Sequence, residues 1–405
     1  MSIPDKTAAE PLARSFIDAF VAGDFETLRG AGDAAFAAAL KPEILAAVRA
    51  QLGAVRARRA LKLEPRDGLV LVEAGAEFEG GAVAFRIALR EGALVGFFVV
   101  PLQPPAPEWR TPDYVDDARF VEEAASVGPL PGAFTRPKGV RRPPVCLLVH
   151  GSGPADRDET VGRNKPFRDL AQGLATRGVA SLRFDKRTFA LPAAFAALAS
   201  PTVKEEVLDD VATALQTLAL RDDVGPLVVV GHSLGALLAP RIVEENRQAA
   251  AAVMIAAPAR PLVDVTLAQI EYLDRLKPSG QLDDVRARAA RVRAAQPGDT
   301  GEPFLGAPLS WWANLNRYDP VAAARRIETP LLILHGGRDY QVTDADYEGW
   351  RAGLEDRANV RLRRFPQLNH LMIAGQGQSE PAEYQLAGHV DVAVIESVAE
   401  FALGL

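Results

Sequence analysis

The spacing of apolar residues changes character several times along this chain. Val145-Cys146-Leu147-Leu148-Val149, Leu227-Val228-Val229-Val230 and Leu331-Leu332-Ile333-Leu334 are short, unbroken apolar runs. Runs of this length bounded by turn residues predict buried strands. Val179 to Phe184, Ala252 to Ala257 and Val360 to Phe365 extend the series, and Arg119 to Val127 with Pro131 to Thr135 predicts an opening pair. Between them, apolar residues fall at helical spacing: Phe167 to Arg177, Val203 to Leu220, Ala236 to Val243, Tyr347 to Leu354 and Val390 to Leu403. Such alternation predicts an α/β domain, a mostly parallel sheet with helices on both faces. Its chemistry is then expected at the carboxyl ends of the strands.

Residues 1–103 have another texture. Leu12, Phe16, Ile17, Phe20 and Val21 predict a helix within Ala9 to Ala31, and Asp33 to Val55 predicts a second, broken near Pro42. Ala60 to Leu63, Leu69 to Phe78, Ala82 to Leu89 and Ala93 to Pro101 read as strands joined by the turns Glu79-Gly80-Gly81 and Arg90-Glu91-Gly92. This predicts a small α+β domain. Asp24 and Glu26 after Gly23 read as a solvated turn. The prolines of Gln103-Pro104-Pro105-Ala106-Pro107 disfavour helix and central strand, so 104–113 is read as a linker and 114–405 as a second domain.

Chemistry enters at the strand ends. Gly231-His232-Ser233-Leu234-Gly235 follows a buried strand and precedes a helix, the context of a nucleophile elbow with Ser233 at its tip. His150-Gly151-Ser152-Gly153-Pro154 leaves another strand, and a glycine-rich turn there presents backbone N–H groups to an oxyanion. The donors expected are the N–H groups of Ser152 and Leu234. Asp339 lies just past a third strand in His335-Gly336-Gly337-Arg338-Asp339, and His370 follows the last. The order Ser, Asp, His suits this arrangement. Of the five histidines, only His370 and His389 lie beyond the acid. His370 is chosen as base, because His389 reads as a surface residue at the start of a helix. His150, His232 and His335 sit in turns, where supporting roles suffice, and Asp264, Asp344 and Asp346 are weaker acids.

From about Tyr114 onward the chain resembles the α/β-hydrolase family. His150 to Pro154, with Asp156-Arg157-Asp158-Glu159 and Arg183-Phe184-Asp185-Lys186-Arg187, is similar to a bacterial branch labelled esterase, deacylase or peptidase-like hydrolase. Ser152 and Pro154 interrupt the glycine run of lipases. Residues 1–103 resemble the accessory domains fused to such hydrolases, and through them the cone-shaped fold of nuclear transport factors and ketosteroid isomerases. The role expected of them is packing, dimerisation or substrate access. The resemblance makes the insertion at 261–328 a helical cap, with Val265 to Leu276 and Leu282 to Ala295 as helices. Phe304, Trp311, Trp312 and Tyr318 either line an apolar acyl site or glue the cap to the sheet. His150, His232 and Arg157 are further pocket candidates, Arg157 as a carboxylate clamp or, in preference, as a structural ion-pair partner.

A formal charge of −6 without a basic, aromatic-rich run argues against nucleic acid. The one cysteine, Cys146, excludes an internal disulfide and reads as a buried, inert thiol. No zinc spacing and no phosphate loop appears. The start Met1-Ser2-Ile3-Pro4-Asp5-Lys6 lacks a signal-like apolar core, and no stretch approaches the roughly 20 apolar residues that cross a bilayer, so a cytoplasmic enzyme is expected. The expected reaction is hydrolysis of small or medium acyl esters through an acyl-serine, without metal or organic cofactor. A peptidase or amide hydrolase, a thioesterase, and a ligand-binding protein without turnover are the alternatives. The partners expected are a small acyl substrate and, through residues 1–103, a second copy of the chain.

Overall fold

A computed structural model describes residues 6–66, 68–101 and 109–405. Contacts divide the chain into two units, Met1–Ala106 and Pro107–Leu405. Residues 104–108 of the expected linker lie outside the described part. Trp109 is already anchored in the second unit: its indole N–H donates to Asp169 Oδ1 (2.9 Å) and its ring lies under the Arg168 guanidinium.

The first unit runs α1 (Lys6–Ala22), α2 (Phe25–Gly30), α3 (Ala34–Ala39) and α4 (Pro42–Leu52), then β1 (Val55–Arg66), β2 (Leu69–Phe78), β3 (Gly81–Arg90) and β4 (Ala93–Pro101). The strands form one antiparallel sheet in that order. The two helices read from the sequence are four. Gly23 turns the chain at φ 78°, and Asp24 then caps α2 by accepting from the Thr27 N–H. Asp33 caps α3 through the Phe36 N–H, and Pro42 opens α4. Both caps satisfy first-turn donors that a continuous helix would have used itself. Val70, Val72, Ala74, Ala76 and Phe78 alternate inward from β2, and Phe20 packs edge-on to Phe85.

The second unit holds an eight-stranded sheet in the order β12-β11-β10-β9-β7-β8-β6-β5. Its strands are β5 (Phe120–Val127), β6 (Leu130–Pro137), β7 (Val145–Val149), β8 (Ala180–Phe184), β9 (Leu227–His232), β10 (Ala249–Ile255), β11 (Leu331–Gly336) and β12 (Val360–Phe365). β5 and β6 are an antiparallel hairpin laid antiparallel on β8; the other pairings are parallel. The helices are α5 (Pro166–Thr176), α6 (Arg187–Ala190), α7 (Pro192–Ala196), α8 (Asp209–Ala219), α9 (Leu234–Glu245), α10 (Leu262–Leu276), α11 (Leu282–Ala294), α12 (Leu309–Asn316), α13 (Pro320–Arg326), α14 (Asp344–Leu354) and α15 (Val392–Leu403).

β7 shows why the apolar runs are unbroken. Val145, Leu147 and Val149 enter the core that contains α8, α9 and cap residues, while Cys146 and Leu148 enter the core under α5 and α15. Strands buried on both faces have no polar side to display. Burial pushes the Cys146 thiol up to about 12, leaving it a packing residue. From β7 the chain goes to β8 on one side and then to β9 on the other, so the connections diverge at β7 and β9. That divergence opens a crevice at their carboxyl ends. Between β10 and β11 the alternation is interrupted by α10 to α13. Among the described residues no helix is long and apolar enough to cross a membrane.

Candidate active site

Ser233 stands between β9 and α9 with φ 52° and ψ −113°. A side chain other than glycine rarely adopts this region, and such strain persists only where the surroundings impose it. Here its N–H donates to Ile255 O on the neighbouring strand, while its carbonyl accepts from Leu237 N–H, both at 2.9 Å. The flanking glycines are required by space. A Cβ on Gly231 would come 2.3 Å from the Gly235 backbone, and one on Gly235 2.2 Å from Val149 O. The turn therefore closes as tightly as the pentapeptide predicts.

Asp339 follows β11 and is buried. Its Oδ1 accepts the N–H groups of Gln341 (2.7 Å) and Val342 (2.9 Å), and its Oδ2 lies 2.6 Å from His370 Nδ1. An ionised carboxylate only accepts, so Nδ1 carries the hydrogen and Nε2 keeps a lone pair. Ser233 and His370 meet as walls of one cavity, rather than through a formed Oγ–H···Nε2 bond. Such bonds in free enzymes commonly tighten only with substrate. The rival residues are engaged elsewhere: Asp264 with Arg293, Asp344 with Arg364 and His335, Asp346 with Arg260. His389 is half-buried against Asp169 at 3.2 Å, which corrects the expectation of a surface residue.

Two buried pairs of an acidic and a basic side chain flank the Gly151 turn. Glu159 Oε1 accepts from Gly151 N–H at 2.7 Å and lies 3.1 Å from His232 Nδ1, while His232 Nε2–H donates to His370 O at 2.9 Å. Burial alone would discharge His232, but the Glu159 carboxylate and the His370 carbonyl outweigh it and raise the imidazole above its ordinary value. Glu159 is lowered: burial opposes its charge, and His232 more than compensates. The second pair is Lys186 with Glu206, Nζ to Oε1 at 2.5 Å. Lys186 also donates to Gly151 O and Gly153 O, and Trp311 Nε1–H donates to Glu206 Oε2.

The cavity over Ser233 encloses about 710 Å³. Ser152, His232, Trp311 and Trp312 line it. Leu234 is buried at the head of α9. Four pocket candidates lie off it. His150 is buried, with Nε2 on Asp156 O. Arg157 binds Asp185 through Nε (2.9 Å) and a terminal nitrogen (3.0 Å) and also holds Gly132 O, so it is a bracket and not a substrate clamp. Phe304 is buried, accepting from Trp312 Nε1–H through its carbonyl. Tyr318 packs against the core, where burial pushes its phenol up. Glu159 and Glu206 line the cavity too; the sequence points to Glu159 only as part of the string after the Gly151 turn, and no motif in it marks Glu206. Among the described residues no cluster of His, Cys, Asp and Glu is arranged to hold a metal ion.

Residues 144–376 match the family model described as serine aminopeptidase, S33. The esterase EstD of Thermotoga maritima is 42% identical over 327 residues, covering 80% of this chain and 77% of that protein. Among solved structures, ferulic acid-bound Est1E from Butyrivibrio proteoclasticus aligns with a TM-score of 0.45 at 16% identity, over 70% of this chain and 98% of that one. The esterase domain of a Rhodothermus marinus protein aligns with a TM-score of 0.43 at 18% identity, over 70% of this chain and 98% of that one.

Proposed function

We propose, from the premise that this chain belongs to the serine aminopeptidase S33 family of α/β-hydrolases, that it is a carboxylesterase acting on uncharged small or medium acyl esters. Ser233 is the nucleophile in this reading, His370 the base and Asp339 its orienting acid. The imidazole takes the Ser233 proton as Oγ attacks the ester carbonyl, and Asp339 stabilises the charge that results. The N–H groups of Ser152 and Leu234 receive the oxyanion. His370 then protonates the departing alcohol, and water activated by the same imidazole releases the acid from the acyl-serine.

The observation that carries the choice of ester over peptide is the state of the cavity's carboxylates. An aminopeptidase needs a free negative charge for the substrate ammonium. Among the described residues, Glu159 and Glu206 are the acidic residues lining the cavity. Each already faces a basic side chain, Glu159 that of His232 at 3.1 Å and Glu206 that of Lys186 at 2.5 Å. An ammonium entering there would lose its water without gaining a counter-charge, which is costly. EstD, named an esterase, supports the same choice.

The test compares p-nitrophenyl esters of increasing chain length with aminoacyl anilides, using wild type and Ser233→Ala. Esters should be cleaved and free-amine anilides left intact, with Ser233→Ala inactive and unlabelled by a fluorophosphonate. Preferred cleavage of anilides carrying a free amine would replace this reading with the peptidase. In the same reading residues 1–103 are an accessory domain that self-associates. An exposed Phe98 in β4, 63% accessible, supports this, and light scattering of Phe98→Ser tests it.

A further inference from the structure

The Gly151 turn belongs to no helix and no strand ladder, yet an oxyanion donor must point in a fixed direction before substrate arrives. The peptide joining Gly151 to Ser152 is planar and trans, so its carbonyl and the Ser152 N–H point opposite ways. Whatever fixes the Gly151 oxygen therefore aims the Ser152 N–H. Lys186 Nζ does this, donating to Gly151 O at 2.8 Å and to Gly153 O at 3.1 Å. The preceding peptide plane is held from the other side, where Gly151 N–H donates to Glu159. The turn also lies against the candidate nucleophile: a Cβ on Gly151 would approach Ser233 Cβ to 3.2 Å.

Lys186 is itself held. Its side chain is 3% exposed and that of Glu206 7%, with 2.5 Å between Nζ and Oε1. Glu206 lies in a π-helical turn, Lys204–Leu208, that precedes α8. Turns of this kind are uncommon and concentrate at functional sites. The other oxygen of Glu206 accepts from Trp311 of α12, so one carboxylate ties the cap to the lysine.

We propose that Lys186 is a positioning residue for the oxyanion hole, acting through the Gly151–Ser152 peptide, with Glu206 as the counter-ion that seats it and joins it to the cap. This rests on the acyl-serine reading above. A cation on the carbonyl oxygen polarises the amide and strengthens its N–H as a donor. The neutral ester carbonyl gains little from this and the tetrahedral oxyanion gains much, so the effect belongs to the transition state. A pair that only held the fold would change stability and leave the balance between kcat and KM alone.

The test uses Lys186→Met and the double variant Lys186→Met/Glu206→Gln. The double variant is needed because Lys186→Met alone strands a buried carboxylate, which threatens folding. Each is measured for thermal melting, for kcat and KM on a p-nitrophenyl ester, and for affinity toward a trifluoromethyl ketone. That ketone takes the Ser233 oxygen onto its carbonyl carbon while His370 takes the proton, leaving the oxygen as an anion in the hole. The folded double variant should lose about 10²-fold in kcat, the scale of a lost oxyanion donor. KM should hardly move, and ketone affinity should fall in parallel with kcat. A folded double variant with wild-type kcat and ketone affinity, or with its loss confined to KM, overturns the proposal. Turnover surviving in Ser233→Ala would instead remove the acyl-serine reading beneath it, and the two failures are told apart by that control.

Discussion

Asp339→Asn is the substitution whose consequence follows most directly from the hydrogen bonds. Asp339 Oδ1 accepts two backbone N–H groups, from Gln341 and Val342, and Oδ2 accepts from His370 Nδ1–H. An asparagine amide has one accepting oxygen and one donating nitrogen. The two N–H groups fix the oxygen at the Oδ1 position, since an NH2 there would face two donors. The amide nitrogen must then face His370 Nδ1, which becomes the acceptor, and the ring hydrogen moves to Nε2. A histidine in that tautomer cannot take the Ser233 proton. The corresponding tautomer error in a serine protease triad lowers kcat by about 10⁴-fold, or about 5 kcal/mol of transition-state stabilisation. The same loss is expected here, with KM little changed. Folding should survive, because the Gln341 and Val342 N–H groups keep their acceptor. Asp339→Ala strands both and should cost about 1–3 kcal/mol for each buried donor left unpaired. Steady-state kinetics and urea melts of the two variants measure both effects. Asp339→Asn with kcat within roughly tenfold of wild type would refute the assigned acid and the tautomer reasoning together.

Gly235→Ala places a Cβ 2.2 Å from Val149 O and 2.8 Å from His150 O; it should cost about 1–3 kcal/mol in urea unfolding and, by displacing Ser233, the proposed nucleophile, about 10²-fold in kcat/KM, and an unchanged variant would show that the elbow has slack. Glu159→Gln removes the carboxylate beside the buried His232, whose imidazole can then shed its proton, and should lower stability by about 1–3 kcal/mol, the scale of a lost hydrogen bond to a charged group; an unchanged urea midpoint would mean that the pair contributes nothing net. His389 is raised from its ordinary value by its hydrogen bond to Asp169, against the opposing pull of burial. A raised group stabilises fully below its unfolded value of about 6.5, and the contribution fades as pH rises through the folded value. His389→Gln should therefore melt lower than wild type near about pH 5 and converge with it near about pH 9, with turnover intact; a constant gap would refute the linkage.

The sheet of the second unit is legible because its strands are buried on both faces, and the candidate site residues hang from strand ends, so each lies beside a local pattern. Helix boundaries were less so. Asp24 and Asp33 are caps that cut one apparent helix into pieces. In the cap, α12 and α13 went unread although Pro308 precedes one and Asp319 with Pro320 opens the other, a recognised start signal. His389 read as exposed because its partner Asp169 lies 220 residues earlier, and no local spacing reveals such a contact. For Tyr318 and Phe304 the sequence leaves pocket lining and cap packing both open, because aromatic character does not say which face of an element meets the cavity.

Arg183-Phe184-Asp185-Lys186-Arg187 carries more information than a family signature, and its geometry says why. Every charged residue leaving β8 in this string is paired with a different part of the site's frame. Arg183, 2% exposed in its side chain, joins Asp158 and Glu122. Asp185 joins Arg157, Lys186 joins Glu206 and the turn carbonyls, and Arg187 joins Asp210. Asp158 and Arg157 belong to the same loop as Glu159, so the string braces the 151–160 segment along its length. On the other side, Glu206 and Asp210 fall among Val203, Val207, Val211 and Ala214, on the apolar stripe leading into α8. A charge on such a stripe contradicts the period around it and costs desolvation energy unless a partner waits inside. Packing alone does not require that arrangement, since a well-packed apolar replacement of a buried pair is often neutral or stabilising. What an apolar replacement cannot do is hold a carbonyl oxygen from one side and an amide N–H from the other, and the Gly151 turn needs both. The charges off the helical period and the charged string after β8 are two halves of one device, and their mismatch with the surrounding pattern is the trace it leaves in the sequence.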